Sequence, residues 1–97
     1  MSKYSLDFDK KASKELLSID KSTRTFILNE LEIFINNFDL EYEQELIKLT
    51  TIKALQGEFK GLYRLRLRTY RVIYEKQNDK LIILVLRVSH RRDAYKY

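Results

Sequence analysis

Cysteine, proline and tryptophan are absent from this 97-residue chain, which also holds only two glycines and one histidine. Each absence excludes something. Without cysteine there is no disulfide framework and no thiolate nucleophile. With one histidine and no cysteine, a His/Cys metal centre lacks a ligand set, so no metal and no cofactor are expected. Scarce glycine and missing proline leave no linker or low-complexity segment. There is no glycine-rich phosphate loop and no nucleophile elbow. The longest apolar run, Leu81 to Leu86, falls far short of the ~20 residues that span a bilayer. The start of the chain is charged where a signal peptide needs an apolar stretch. The expectation is one domain over residues 1–97, soluble, cytoplasmic and without a membrane partner.

Charge is plentiful and unevenly placed. Residues 1–59 hold 8 Lys+Arg against 11 Asp+Glu, whereas residues 60–97 hold 11 against 3, so a net +5 divides into −3 and +8. The basic part is mostly arginine: Arg64, Arg66, Arg68, Arg71, Arg87, Arg91 and Arg92. Arginine is the cation whose planar fork grips phosphate. Such a face either is merely solvated or meets a polyanion. The patterning favours the polyanion.

Tyr4 to Phe8 alternates as a short strand. Asp9 caps a helix carrying Ala12, Leu16 and Ile19; Asp20 or Ser22 caps a second, with a stripe through Ile27, Leu31, Phe34, Ile35 and Phe38. The link between them allows only a helical hairpin. Residues 39–54 read as a third helical segment, and Gly57 and Gly61 bracket a turn. From Tyr63 the period becomes two. Tyr63, Leu65 and Leu67 face one way and Arg64, Arg66 and Arg68 the other. Tyr70 to Glu75 is the hairpin partner, Gln77-Asn78-Asp79 a turn, and Leu81 to Leu86 a central strand that is apolar on both faces. This order predicts an α+β fold, an N-terminal strand and helical hairpin packed on a mainly antiparallel four-stranded sheet.

Same-face residues on a strand lie about 6.6 Å apart. The alternation thus predicts a row of three guanidiniums, Arg64, Arg66 and Arg68, on one sheet face, with Arg71 on the neighbouring strand. A core-facing row of arginines is untenable without partners, so this face is solvent-facing and either paired with acids or built for an anion. Only Glu75 and Asp79 are acids near in sequence, and the 39–45 segment could supply more; the pattern favours the anion. His90, Arg91, Arg92 and Tyr95 follow the last strand, and His90 is a side chain that can shuttle protons near neutrality. The basic third offers no clustered carboxylates for metal-dependent nucleic-acid cleavage. The remaining route is attack by the substrate's own 2′-OH, which restricts the substrate to RNA.

These residues carry a resemblance. Leu55-Gln56-Gly57, Gly61-Leu62-Tyr63-Arg64-Leu65-Arg66, Tyr70-Arg71-Val72-Ile73-Tyr74 and Val88-Ser89-His90-Arg91-Arg92-Asp93-Ala94-Tyr95, in this order, resemble the RelE/ParE superfamily of toxins from type II toxin–antitoxin systems. The opening Tyr4 to Leu16 is similar too. The resemblance implies a RelE-like, microbial RNase-type fold and a co-encoded antitoxin partner. In RelE-type members it implies a ribosome-dependent endoribonuclease acting on mRNA, a metal-independent mRNA interferase; in ParE-type members the target is DNA gyrase. By position it implies that Arg64 and Arg66 are the basic pair of the first hairpin strand, often lysines there. Arg71 would stabilise the phosphate, Arg91 would protonate the leaving group, and Tyr95 would orient a base. His90 stands where related toxins vary, and Arg68 and Arg92 would add phosphate contacts. This chain departs from the pattern in one chemical respect. Arginine stays protonated to about pH 12, so neither Arg64 nor Arg66 is a base, and the 2′-OH proton passes to His90, Tyr95 or a ribosomal group. A third reading needs no catalysis: a module that binds an acidic partner through the arginine face.

Overall fold

The computed structural model describes residues 3–93. Their order is β1 (Ser5–Phe8), α1 (Lys10–Ser18), α2 (Lys21–Asn37), α3 (Leu40–Lys48), β2 (Ile52–Ala54), β3 (Leu62–Leu67), β4 (Tyr70–Gln77) and β5 (Ile82–His90). Single turns of 3-10 helix lie at Gly57–Phe59 and Arg91–Asp93. Each α-helix begins at an aspartate whose carboxylate accepts a first-turn N–H: Asp9 from Lys11, Asp20 from Thr23 and Asp39 from Tyr42. The Thr23 N–H holds the Asp20 carboxyl below the usual carboxylate range.

The α+β architecture follows the expectation, but the sheet has five strands rather than four, in the order β1-β5-β4-β3-β2. β1 runs parallel to β5 and every other pair is antiparallel. The extra strand comes from the segment read as wholly helical over 39–54. Helix α3 stops at Leu49, and β2 then pairs with β3 through Ile52↔Leu65, Lys53↔Arg64 and Ala54↔Tyr63. The stop is a Schellman motif: the Thr51 N–H donates to the Leu46 carbonyl, and the Thr50 N–H to that of Ile47. Thr50 takes the left-handed conformation that glycine usually fills, with φ 62°. A β-branched residue is strained there. Thr50→Gly is therefore expected to raise stability by about 1 kcal/mol, read as a higher urea midpoint at unchanged slope.

The helices cover one face of the sheet. Ala12, Leu16, Ile27, Leu31, Phe34 and Phe38 pack there on Ile52, Leu65, Val72, Tyr74, Ile83, Val85 and Val88. Glu43 of α3 also enters this layer, 1% exposed. It accepts from the Tyr74 hydroxyl at 2.5 Å and the Lys76 ammonium at 2.5 Å. Lys76 in turn lies 4.7 Å from the Tyr63 ring centroid, and Tyr63 stacks on Tyr74. This buried polar knot fastens α3 to β4.

β1 ends at Phe8, opposite Val85, so among the described residues no strand lies beside the second half of β5 on that flank. α1 covers it instead. Glu15 accepts from the Val88 N–H at 2.8 Å and from the Arg87 guanidinium at 3.0 Å. Among the described residues, no helix is long and apolar enough to cross a membrane.

Candidate functional site

Alternation along β3 and β4 leaves a second face that no α-helix among the described residues covers. In register, one row across it reads Arg66–Arg71–Ser89, and the next Lys53–Arg64–Ile73–Arg87. Ile73 is 2% exposed yet stands outside the helix-side core cluster, flanked in register by Arg64 and Arg87. Long basic side chains cover apolar surface with their stems while their heads stay in water.

Arg66 and Arg71 face each other directly. Cross-strand neighbours of this kind have Cβ atoms about 5 Å apart, and two like charges at that spacing oppose each other unless an anion or other partners intervene. Arg71 has such partners: its Nη1 donates to the Arg68 carbonyl at 2.8 Å and the Tyr70 carbonyl at 3.1 Å, which turns the guanidinium toward the β3–β4 turn. Arg66 is exposed. The neighbouring Ser89 is 7% exposed, and its hydroxyl has no hydrogen-bond partner among the described residues.

Not every expected residue joins this cluster. The alternation predicted Arg68 in a row with Arg64 and Arg66. Instead it occupies the turn with φ 56°, standing in for the glycine common at such turns, and its guanidinium lies 4.1 Å from the Phe26 ring centroid on α2. The row is therefore two residues long, and Arg68 belongs to the helix side. His90 does not follow the last strand but ends it. It pairs with Tyr70 in register and meets that ring edge-on at 5.5 Å, on the face opposite Arg66 and Arg71. Its Nδ1 accepts from the Arg92 N–H at 3.2 Å, which leaves the proton of a neutral ring on Nε2. His90 lines a hollow of about 570 Å³ with Glu15, Asp20 and Tyr70.

Arg91 and Arg92 are exposed just after β5. The Arg91 N–H donates to the Thr69 carbonyl at 2.6 Å, tying the end of β5 to the β3–β4 turn. Tyr95 lies outside the described residues.

Two residues of consequence had little signal in the sequence. Lys53 stands on the arginine face, yet only Ile52-Lys53-Ala54 carries the period of two that would mark it. Glu15, which clamps β5, sits in a helix whose pattern says nothing of a partner 72 residues away.

This arrangement can grip a phosphate from several directions and stabilise charge that develops on it. It offers no proton acceptor among its guanidiniums. The pattern of the family described as "ParE toxin of type II toxin-antitoxin system, parDE" matches residues 6–95. The chain belongs to this ParE toxin family. Within the wider RelE/ParE superfamily, the ParE-family chain is also similar to Toxin RelG of Mycobacterium tuberculosis, 36% identical over 44 residues. That match spans 45% of this chain and about half, 51%, of the relative. Two archaeal toxin–antitoxin structures share its fold. The RelE–RelB complex of Pyrococcus horikoshii matches with TM-score 0.67 and 26% identity, covering 94% of this chain and 98% of the other. The RelB–RelE complex of Methanococcus jannaschii matches with TM-score 0.66 and 28% identity, covering 94% and 96%. The RelBE2 complex of M. tuberculosis matches with TM-score 0.67 at 23% identity over 91% and 98%, a likeness of fold alone.

Proposed function

We propose that this ParE-family chain is a RelE-type toxin, an endoribonuclease that cleaves mRNA on the ribosome in the cytoplasm and is neutralised by a cognate antitoxin. One observation carries the reading: Arg66 and Arg71 oppose each other across β3 and β4, on the face that none of the described α-helices covers. Two guanidiniums so placed hold a phosphodiester while its own 2′-oxygen bonds to phosphorus and the bond to the 5′-oxygen breaks. That oxygen takes a proton from Arg91, as the family resemblance implies, and the pair stabilises the charge that develops on the phosphate oxygens. Among the described residues no three His, Asp or Glu side chains gather as metal donors. The reading therefore rests charge stabilisation on arginine. Arg64 adds to the cluster from the next row, and Arg91 and Arg92 stand at its end beside the turn. Because His90 occupies the other face, the 2′-OH proton falls to Tyr95 or to a ribosomal group. The likeness to RelG and to the RelE folds supports this reading.

The match to the ParE pattern favours a second reading, inhibition of DNA gyrase. The two are separated in one strain. Induction is expected to stop growth and to produce discrete mRNA breaks within translated codons, mapped by primer extension, while purified protein leaves gyrase supercoiling intact. Blocked supercoiling with unbroken mRNA would establish the gyrase reading. Unimpaired growth would instead support a non-catalytic basic module.

A further inference from the structure

β2 and the end of α3 enclose a hollow of about 440 Å³ beside the arginine pair, lined by Ile47, Thr50, Ile52, Lys53, Ala54, Arg64 and Arg66. Three of these are cations and none is an acid. Lys53 lies directly across from Arg64, and Arg66 is its diagonal neighbour, about 7–8 Å away by sheet geometry. Lys53 and Arg66 are both exposed, and the side chain of neither makes a hydrogen bond or ion pair with another described residue. Lys53 and Arg66 thus bring two positive heads with no opposite charge among the described side chains to one hollow, which favours an anion there.

We infer that Lys53 and Arg64 form a second phosphate seat, taking the RNA phosphodiester next to the one held by Arg66 and Arg71. This inference rests on the reading of the chain as an RNA-cleaving toxin. The two seats are offset by one strand spacing and one same-face step, about 8 Å in all, a gap that the long stems of lysine and arginine can narrow to meet consecutive phosphates. The strand then runs diagonally over the helix-free face, from β4 toward β2. α3 and its Thr50 stop bound the hollow, so the segment between α2 and β3 acquires a use in addition to packing. An acidic peptide could satisfy the same charges. The continuity of this hollow with the arginine pair favours the nucleic acid.

A methylphosphonate scan tests the inference. The probe is a single-stranded 2′-O-methyl hexaribonucleotide, which cannot be cleaved, with one linkage at a time made neutral; binding is read by fluorescence anisotropy across a salt series. Wild-type protein is expected to lose affinity at two neighbouring linkages. Lys53→Ala and Lys53→Met are each expected to bind on the order of fivefold more weakly at low salt and to become indifferent to one of the two linkages. Their slope of log affinity against log salt is expected to shrink by about 0.7, and Lys53→Arg to restore both. If the Lys53 variants keep sensitivity at both linkages and the full salt slope, the seat does not exist. Equal competition by a poly-glutamate peptide of the same charge, or by millimolar inorganic phosphate, overturns it as well. A wild type that shows the two-linkage pattern but fails to cleave mRNA on ribosomes overturns the proposed function and leaves the seat standing.

Discussion

Replacing Arg66 and Arg71 together with alanine is expected to lower ribosome-dependent mRNA cleavage by on the order of 10²–10³-fold, the size of effect seen when preorganised donors to a developing oxyanion are lost. The double variant is the informative one. The two side chains oppose each other directly, so each single variant leaves a guanidinium that can still reach the phosphate, and the losses will not add. Both residues stand outside the helix-side core, so the melting temperature is expected to move by only a few degrees. Single-turnover cleavage of a defined message on ribosomes gives the rate, and circular dichroism gives the stability. A double variant that melts like wild type and cleaves within threefold of it would remove the arginine pair from the mechanism. Lysine at both positions is expected to recover part of the loss, because it restores charge without the bidentate fork.

The largest effect on stability is expected at Glu43. Its carboxylate is 1% exposed and holds both the Tyr74 hydroxyl and the Lys76 ammonium, which is itself 12% exposed. Glu43→Ala strands a cation and a phenol beneath α3, and losing one partner of a buried pair costs about 3–5 kcal/mol. That is a large part of the roughly 5–15 kcal/mol that a small domain commands. Burial by itself would depress the Lys76 ammonium, but the hydrogen bond and charge of Glu43 outweigh it and raise the group above its ordinary 10.5. Burial, reinforced by the same carboxylate, pushes the Tyr74 hydroxyl up from 10.0. Both groups are more protonated folded than unfolded. Their contribution is therefore complete below the unfolded values near 10.0 and 10.5 and is lost as pH rises beyond them. The urea midpoint of the wild type is expected to hold level through neutral pH and fall above about pH 10, and Glu43→Gln to flatten that alkaline fall. A midpoint for Glu43→Ala equal to that of wild type would show that the knot contributes nothing.

How much of this was legible depended on whether the physical cause was local. The alternations at Tyr4–Phe8 and Tyr63–Leu67 and the helical stripe from Ile27 to Phe38 are local, and they placed the strands and the hairpin correctly. The aspartate caps are local too. The stop at Thr50 left no trace because the usual marker is glycine, and here a threonine is held in that conformation by the Thr50 and Thr51 hydrogen bonds. Without that stop β2 merged into the helix before it, and Lys53 disappeared from the arginine face. Arg68 misled in the opposite way. Alternation counts it with Arg64 and Arg66, but a two-residue turn rotates the backbone at Arg68 and delivers the guanidinium to Phe26. His90 adjoins Arg91 in sequence, while strand parity separates it from the arginine pair in space. Nothing local separates Glu43 from its acidic neighbours Glu41 and Glu45, and its burial follows only from α3 lying on Tyr74.

The pairing of β1 with β5 has a consequence for biosynthesis. Among the described residues, β1 finds its one neighbour in β5, Ser5 against Ile82 and Phe8 against Val85. Closing so long a loop is slow and uphill until the contacts form. A nascent chain still lacking residues 82–90 has neither the strand that completes its core nor the support behind β4, which positions Arg71. The arginine face is thus assembled only once residues 82–90 have left the ribosomal exit tunnel and β5 has closed onto β1 and β4.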